Sequence, residues 1–510
     1  MRRPLACCLF LLWLMIYGQS PAQEQSSAES RAARYYDSVR QDPPLLLKFL
    51  RDMPKGGDLH NHLVGAIYAE SLIDFAALNG MCVDRATSTA VNDGCDKGCE
   101  PSARRPSARC AYGDQVLYNT LVDAWSMRNW QLGKESGHDH FFATFDKFFP
   151  ATANHIGDAL AETASRAAAD RLQYVELMHT ADGMRAAILG AKVGWHDDLP
   201  KMRDELLKGG LPAVVAATRR DLDVDEAKMR ARLKCGTPQP DPGCGVVVRY
   251  LYQVLRGLPP EQVFAQILLG FELAHADSRF VGLNLVMPED WYVPMRDFDL
   301  HMKMLDYLHG VYPGVHISLH AGELAMGLVA PEGLRFHIRE SVERGHAERI
   351  GHGVDVMNET DPIGLLKELA RRDILVEICL TSNDEILGVR GKQHPLAVYQ
   401  QYGVPVALAT DDEGVSRSDM TYEYLRAAED QGLPYLTLKN MARQSLDHSF
   451  LPGASLWTDA KQFRLNPACA GEAGGSAKPL DRCRTFLDSS ERARVQWKLE
   501  EEFTQFESRF

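Results

Sequence analysis

Eight short, strongly apolar runs punctuate the chain, at 57–64, 172–179, 245–254, 280–287, 315–320, 349–355, 374–380 and 404–410. In runs such as GVVVRYLYQV and ILVEICL the apolar residues are nearly continuous rather than alternating. That is the pattern of strands buried on both faces of a parallel sheet. Between the runs lie stretches with helical spacing, among them HIGDALAETASRAAADR and MTYEYLRAAEDQ. Eight strand–helix alternations in order predict the α/β class and a closed (β/α)8 TIM barrel. An open doubly wound sheet is the alternative, but no glycine-rich nucleotide fingerprint follows the first strand. Two segments exceed a minimal barrel. Residues 80–135 form a Cys-, Pro- and Arg-containing insertion after the first strand and its helix. The tail from about 485 reads as a closing helix, with Asp488 and Glu491 at capping-box spacing.

The ends of the chain add to this picture. Arg2 and Arg3 precede an apolar run from Leu5 to Tyr17, too short to span a bilayer and suited to a signal-peptide core. We therefore divide the chain into a signal peptide (1–22), a helical or extended lead-in (23–53), the barrel domain with its insertion (54–465), and a disulfide loop with the C-terminal helix (466–510). An exported protein, periplasmic or secreted and free of the membrane in its mature form, is expected. Cysteine usage agrees. Eight of the 11 cysteines lie in loop-like stretches, where an oxidising compartment favours pairing. Cys235–Cys244 and Cys469–Cys483 are the expected local pairs. Cys82, Cys95, Cys99 and Cys110 allow three pairings, and Cys379 reads as a buried free thiol. The net charge of −13, without a basic run, argues against nucleic acid as a partner.

The residues that carry chemistry cluster at the C-terminal ends of the expected strands. His60 and His62, two apart in DLHNHL, would project from one face of a strand, as two ligands of one ion must. SLHAGE adds His320 and, one tight turn later, Glu323. RIGHGVD adds His352 between two glycines, and ALATDDEG ends an apolar strand in the adjacent acids Asp411 and Asp412. Such acids need a cation or several donors nearby. Each feature alone has a plainer explanation, such as a solvated strand edge. Four of them at four strand ends of one barrel point together to the rim where this fold keeps its active sites.

The motifs PKGGDLHNHLVG, HAGE, RIGHG, TSN and TDD occur in that order, followed by NMARQSLDHSF. Together they resemble the adenosine deaminase family of zinc-dependent aminohydrolases, in the amidohydrolase superfamily, over most of residues 54–460. The insertion and the expected export are most similar to the secreted, growth-factor-related branch or an exported bacterial relative. The resemblance implies that His60, His62, His320 and Asp411 hold one Zn2+ and leave a position for water. It implies that Asp411 and His352 orient and deprotonate that water, and that a protonated Glu323 donates to purine N1. Asp412 would contact N7. The implied reaction takes adenosine and 2′-deoxyadenosine to the inosine forms and ammonia. No Lys follows the fourth strand, which favours one metal over two.

Three positions depart from the family pattern. Val64 stands where cytosolic members place an Asp that contacts the ribose, Met287 where a Gly offers its backbone N–H to the purine, and Glu413 where Pro is usual. The backbone of Met287 can still serve, and Glu289 or Asp290 is a candidate sugar contact. The expected partner is a small purine nucleoside, and a homodimer is allowed. Two other readings stay open: a deaminase of another 6-aminopurine, such as adenine or a modified adenosine, and a secreted binding or signalling protein with vestigial catalysis.

Overall fold

The structure, a computed structural model, describes residues 27–510 apart from residues 132, 134 and 473. The expected signal segment lies outside the described residues. Eight parallel strands form one sheet in sequence order: β1 Gly56–His62, β2 Leu172–His179, β3 Val247–Leu255, β4 Phe280–Val286, β5 His316–Ala321, β6 Arg349–His352, β7 Leu375–Ile378 and β8 Val406–Leu408. The eighth side of the ring is closed by a parallel bridge between Asn61 and Asp411. There Asp411 N–H donates to the His60 carbonyl (2.8 Å) and His62 N–H donates to the Asp411 carbonyl (3.2 Å). The seam of the barrel is thus made by candidate site residues. β2 and β4 are buried at every position, which accounts for their apolar runs.

Each apolar run became a barrel strand, but β6, β7 and β8 are each at least three residues shorter than their runs. β6 stops at His352, whose φ of 68° ends the extended conformation, rather than continuing to 355. β8 covers only 406–408, and Asp411 beyond it has φ 61°. The closing helix is also corrected. The tail holds two helices, Asp481–Ser489 and Glu491–Glu507, and the cap of the second is Ser490, whose hydroxyl accepts from Ala493 N–H. Asp488 lies inside the first of these helices and does not cap the second.

Disulfides Cys235–Cys244 and Cys469–Cys483 are formed as expected, and the insertion is stapled by Cys82–Cys95 and Cys99–Cys110. By the chain-entropy argument, loops of this length each gain about 3 kcal/mol from closure. Within the insertion a small hairpin pairs Cys82–Asp84 with Thr89–Val91. Cys379 is free and buried. Residues ahead of the barrel form two helices, Ala28–Val39 and Pro43–Asp52. Among the described residues no helix is long and apolar enough to cross a membrane.

Candidate active site

Three imidazoles and one carboxylate meet at the C-terminal mouth of the barrel. The Nε2 atoms of His60 and His62 lie 3.1 and 3.2 Å from Nε2 of His320. Asp411 Oδ1 lies 3.6 Å from His60 Nε2 and 3.3 Å from His62 Nε2. Strand alternation places His60 and His62 on one face of β1, and β5 brings His320 to the same height. Gly351 on β6 makes room for this, because a Cβ there would lie 2.5 Å from Cε1 of His60.

The other ring nitrogen of each histidine is engaged. Nδ1 of His60 meets Glu377 Oε2 at 2.7 Å, Nδ1 of His62 meets Gln253 Oε1 at 3.0 Å, and Nδ1 of His320 meets Asn284 Oδ1 at 2.8 Å. All three partners accept through those oxygens, so Nδ1 carries the proton and Nε2 presents a lone pair. Three lone pairs and a carboxylate at this distance repel one another unless a cation lies among them. Burial alone would push His60 down, but its bonds to Asp411 and Glu377 outweigh burial and raise it to about 10, so its Nε2 holds a cation, a proton where no metal takes that place. Burial likewise opposes ionisation of Asp411, yet His60 and His62 hold it well below the usual carboxylate range. The set therefore attracts positive charge, and its nitrogen and oxygen donors fit zinc.

Glu377 is itself fixed, accepting from Ser318 Oγ (3.0 Å) and from Arg349 Nε (2.7 Å). Arg349 also reaches Glu176, so an ion network across the barrel interior stands behind the His60 ring. Sequence reasoning missed Gln253, Asn284 and Glu377. Their signal was a single polar residue interrupting an apolar strand, as in YLYQVL, LNLV and LVEICL.

The other expected site residues stand around this centre. His352 packs its ring against those of His60 and His320, with centroids 4.8 and 5.1 Å away. Asn383 Nδ2 donates to His352 Nδ1 (3.0 Å), and Glu323 Oε1 lies 3.7 Å from that nitrogen. Burial lowers His352 to about 3, so the ring is neutral. Burial first, then the charges of Asp411 and Glu289, raise Glu323 well above the usual carboxylate range. Burial and Asp411 raise Asp412 to about 7, although His62 opposes the shift. Gly65 is required beside it, since a Cβ at 65 would lie 1.6 Å from Asp412 Oδ1. Glu323 Oε1, His352 Nε2 and Asp412 Oδ1 are buried without a protein partner. Buried polar atoms are normally satisfied, so three unsatisfied ones around a cation-attracting centre suit a polar ligand.

The weaker candidates fall differently. Met287 keeps a glycine-like backbone, with φ 86°, and its side chain lies against Gly257. Both Glu289 oxygens accept from backbone N–H groups of the turn carrying Glu323. Asp290 pairs with His138 at 2.9 Å. Val64 is half-buried.

Comparison with known proteins places this geometry. A family model described as adenosine deaminase matches residues 119–456. Curated adenosine deaminases from Serratia proteamaculans (strain 568) and Klebsiella pneumoniae (strain 342) are 39% and 40% identical over 139 residues, which is 27% of this chain. The match covers only 39% and 38% of those relatives' length. Among solved structures, an N6-methyl-AMP deaminase from Arabidopsis thaliana in its apo form is similar in fold, with TM-score 0.51 and 20% identity over 80% of this chain and 94% of that one. An Arabidopsis ADAL complexed with IMP also gives TM-score 0.51 and 20% identity, covering 79% and 94% of the two chains. With the family model matching more than half of its length, the chain belongs to the adenosine deaminase family.

Proposed function

We propose that the chain hydrolytically deaminates a 6-aminopurine nucleoside, adenosine foremost, at a single zinc site formed by His60, His62, His320 and Asp411. The observation that carries this reading is the convergence of three imidazole lone pairs and one carboxylate beside a buried, unpartnered Glu323. Held by these four side chains, a zinc ion would supply the Lewis acidity that makes a water molecule nucleophilic at neutral pH. Glu323 keeps its proton at neutral pH and is the donor to purine N1, which makes C6 electrophilic. His352 stays neutral and, with Nδ1 accepting from Asn383, would hold the attacking water through Nε2–H, while Asp411 would take that water's proton and return it to the leaving amino group. Asp412, raised to about 7, can donate to or accept from N7. The amino group leaves C6 as ammonia and the 6-oxo purine remains. Burial of His60, Glu323, His352 and Asp411 excludes bulk water and strengthens each of these interactions.

A second reading keeps the reaction and changes the substrate to adenine or a modified adenosine. Val64 favours it, because a valine side chain cannot hydrogen-bond a ribose hydroxyl. The solved neighbours include an N6-methyl-AMP deaminase and a protein bound to IMP, consistent with a purine ligand. Export is part of the proposal, supported by four disulfides.

The test is the fall in ultraviolet absorbance of adenosine on addition of purified protein, with and without a chelator. Chelator-sensitive loss supports the first reading. Turnover of another 6-aminopurine in its place selects the second, and turnover of none overturns both.

A further inference from the structure

Glu323 stands one tight turn beyond the candidate ligand His320, and something must hold that turn. The chain bends at Gly322, which has φ 78°. The turn leaves the amides of Gly322 and Glu323 outside the sheet ladder, in a buried place where unpaired donors are costly. The carboxylate of Glu289, 1% exposed and three residues past the end of β4, takes both. Gly322 N–H donates to its Oε1 at 3.1 Å and Glu323 N–H to its Oε2 at 2.8 Å. A charged acceptor gripping two successive amides fixes position and orientation together.

The start of the same segment is held by Arg256, 3% exposed, which follows β3. Its Nη1 donates to the His320 carbonyl (3.1 Å) and its Nε to the Met287 carbonyl (3.2 Å). On the far side the turn is backed by Asp355 and Ile338. A Cβ at position 322 would lie 2.5 Å from Asp355 Oδ1 and 2.9 Å from Ile338 Cδ1. The turn is therefore gripped at both ends and blocked behind.

We propose that Glu289 is a positioning residue for the proton donor: by binding the Gly322 and Glu323 amides through both its oxygens, it sets where the Glu323 carboxyl meets the purine ring. This rests on the deaminase reading given above. It assigns Glu289 to the transition state rather than to the sugar, so loss of the grip should appear in turnover and not in ground-state binding.

The test compares the parent with Glu289→Gln, which keeps size but places an NH2 against an N–H. Displacement of a reacting group by about 1 Å costs on the order of 10²-fold. We expect kcat on adenosine to fall about 10- to 100-fold while KM stays within about threefold. Zinc content should be unchanged. Affinity for a tetrahedral 6-hydroxy analogue of the nucleoside should fall by the same factor as kcat/KM, while affinity for inosine stays at the parent value. If the Gln variant does not fold, Glu289→Asp keeps the charge and draws the oxygens back, and the same comparison decides. A kcat within about threefold of the parent, a change confined to KM, or loss of zinc alongside activity each overturns the positioning role. A parent chain that turns over no 6-aminopurine overturns the functional reading and this inference with it; an active parent with an unaffected variant overturns this inference alone.

Discussion

Glu323 is the side chain whose chemistry is set most sharply by its surroundings. Burial and the neighbouring acids Asp411 and Glu289 push its pKa well above the usual carboxylate range. Glu323→Gln preserves the shape and a donor but cannot transfer a proton, so kcat should fall by about 10²- to 10⁴-fold. Metal analysis should still find zinc in that variant, and activity within tenfold of the parent would refute the donor assignment. The groups behind the ligands matter in a different way. Gln253→Ala removes the acceptor that orients the His62 ring, and zinc affinity measured by chelator competition should weaken by about 10- to 100-fold. That six side chains gather at one end of the barrel was legible in the sequence because His, Glu and Asp broke apolar runs at their ends. Glu377 was not, since its meaning comes from His60, 317 positions away in the chain.

Strands were legible for a related reason: a parallel strand covered on both faces must be apolar at almost every position. Their ends were less so. His352, Asp411 and Met287 all adopt positive φ, a conformation that residue type does not announce and that tends to gather at functional sites. The tail shows the same limit, because Asp488 and Glu491 have capping-box spacing but the chain breaks at Ser490. The close approach of Gly351 on β6 to the His60 ring yields its own prediction. In Gly351→Ala the new methyl group must displace the His60 ring, 2.5 Å away. The variant should melt within a few degrees of the parent yet lose more than about tenfold in zinc affinity, measured by titration of the metal-free protein. Parent-like affinity would show that the ring has room to spare.

In the molecule as a whole, the closed barrel buries many ionisable groups, and the unpaired acids among them set its response to pH. Burial, reinforced by Glu289 and Glu359, raises Asp355 to about 9, and burial raises Glu385 to about 8. A buried acid with a raised pKa lends stability below its unfolded pKa of about 4 and loses that contribution as pH rises through its folded value. The melting temperature should therefore fall between pH 7 and pH 9, and Asp355→Asn should flatten the fall. A melting temperature that is constant or rising over that interval would contradict this. Closure also explains why four residues from β1, β5 and the end of β8 can share one ion, since Asp411 is hydrogen-bonded to the backbone of β1 at the seam. The most direct test of that convergence is to measure bound zinc and purine deamination on the same sample before chelation, after it, and after zinc is restored. One zinc per chain is expected, with activity that disappears and returns alongside the metal. Undiminished deamination by metal-free protein, or stoichiometric zinc retained in His62→Ala, would contradict it.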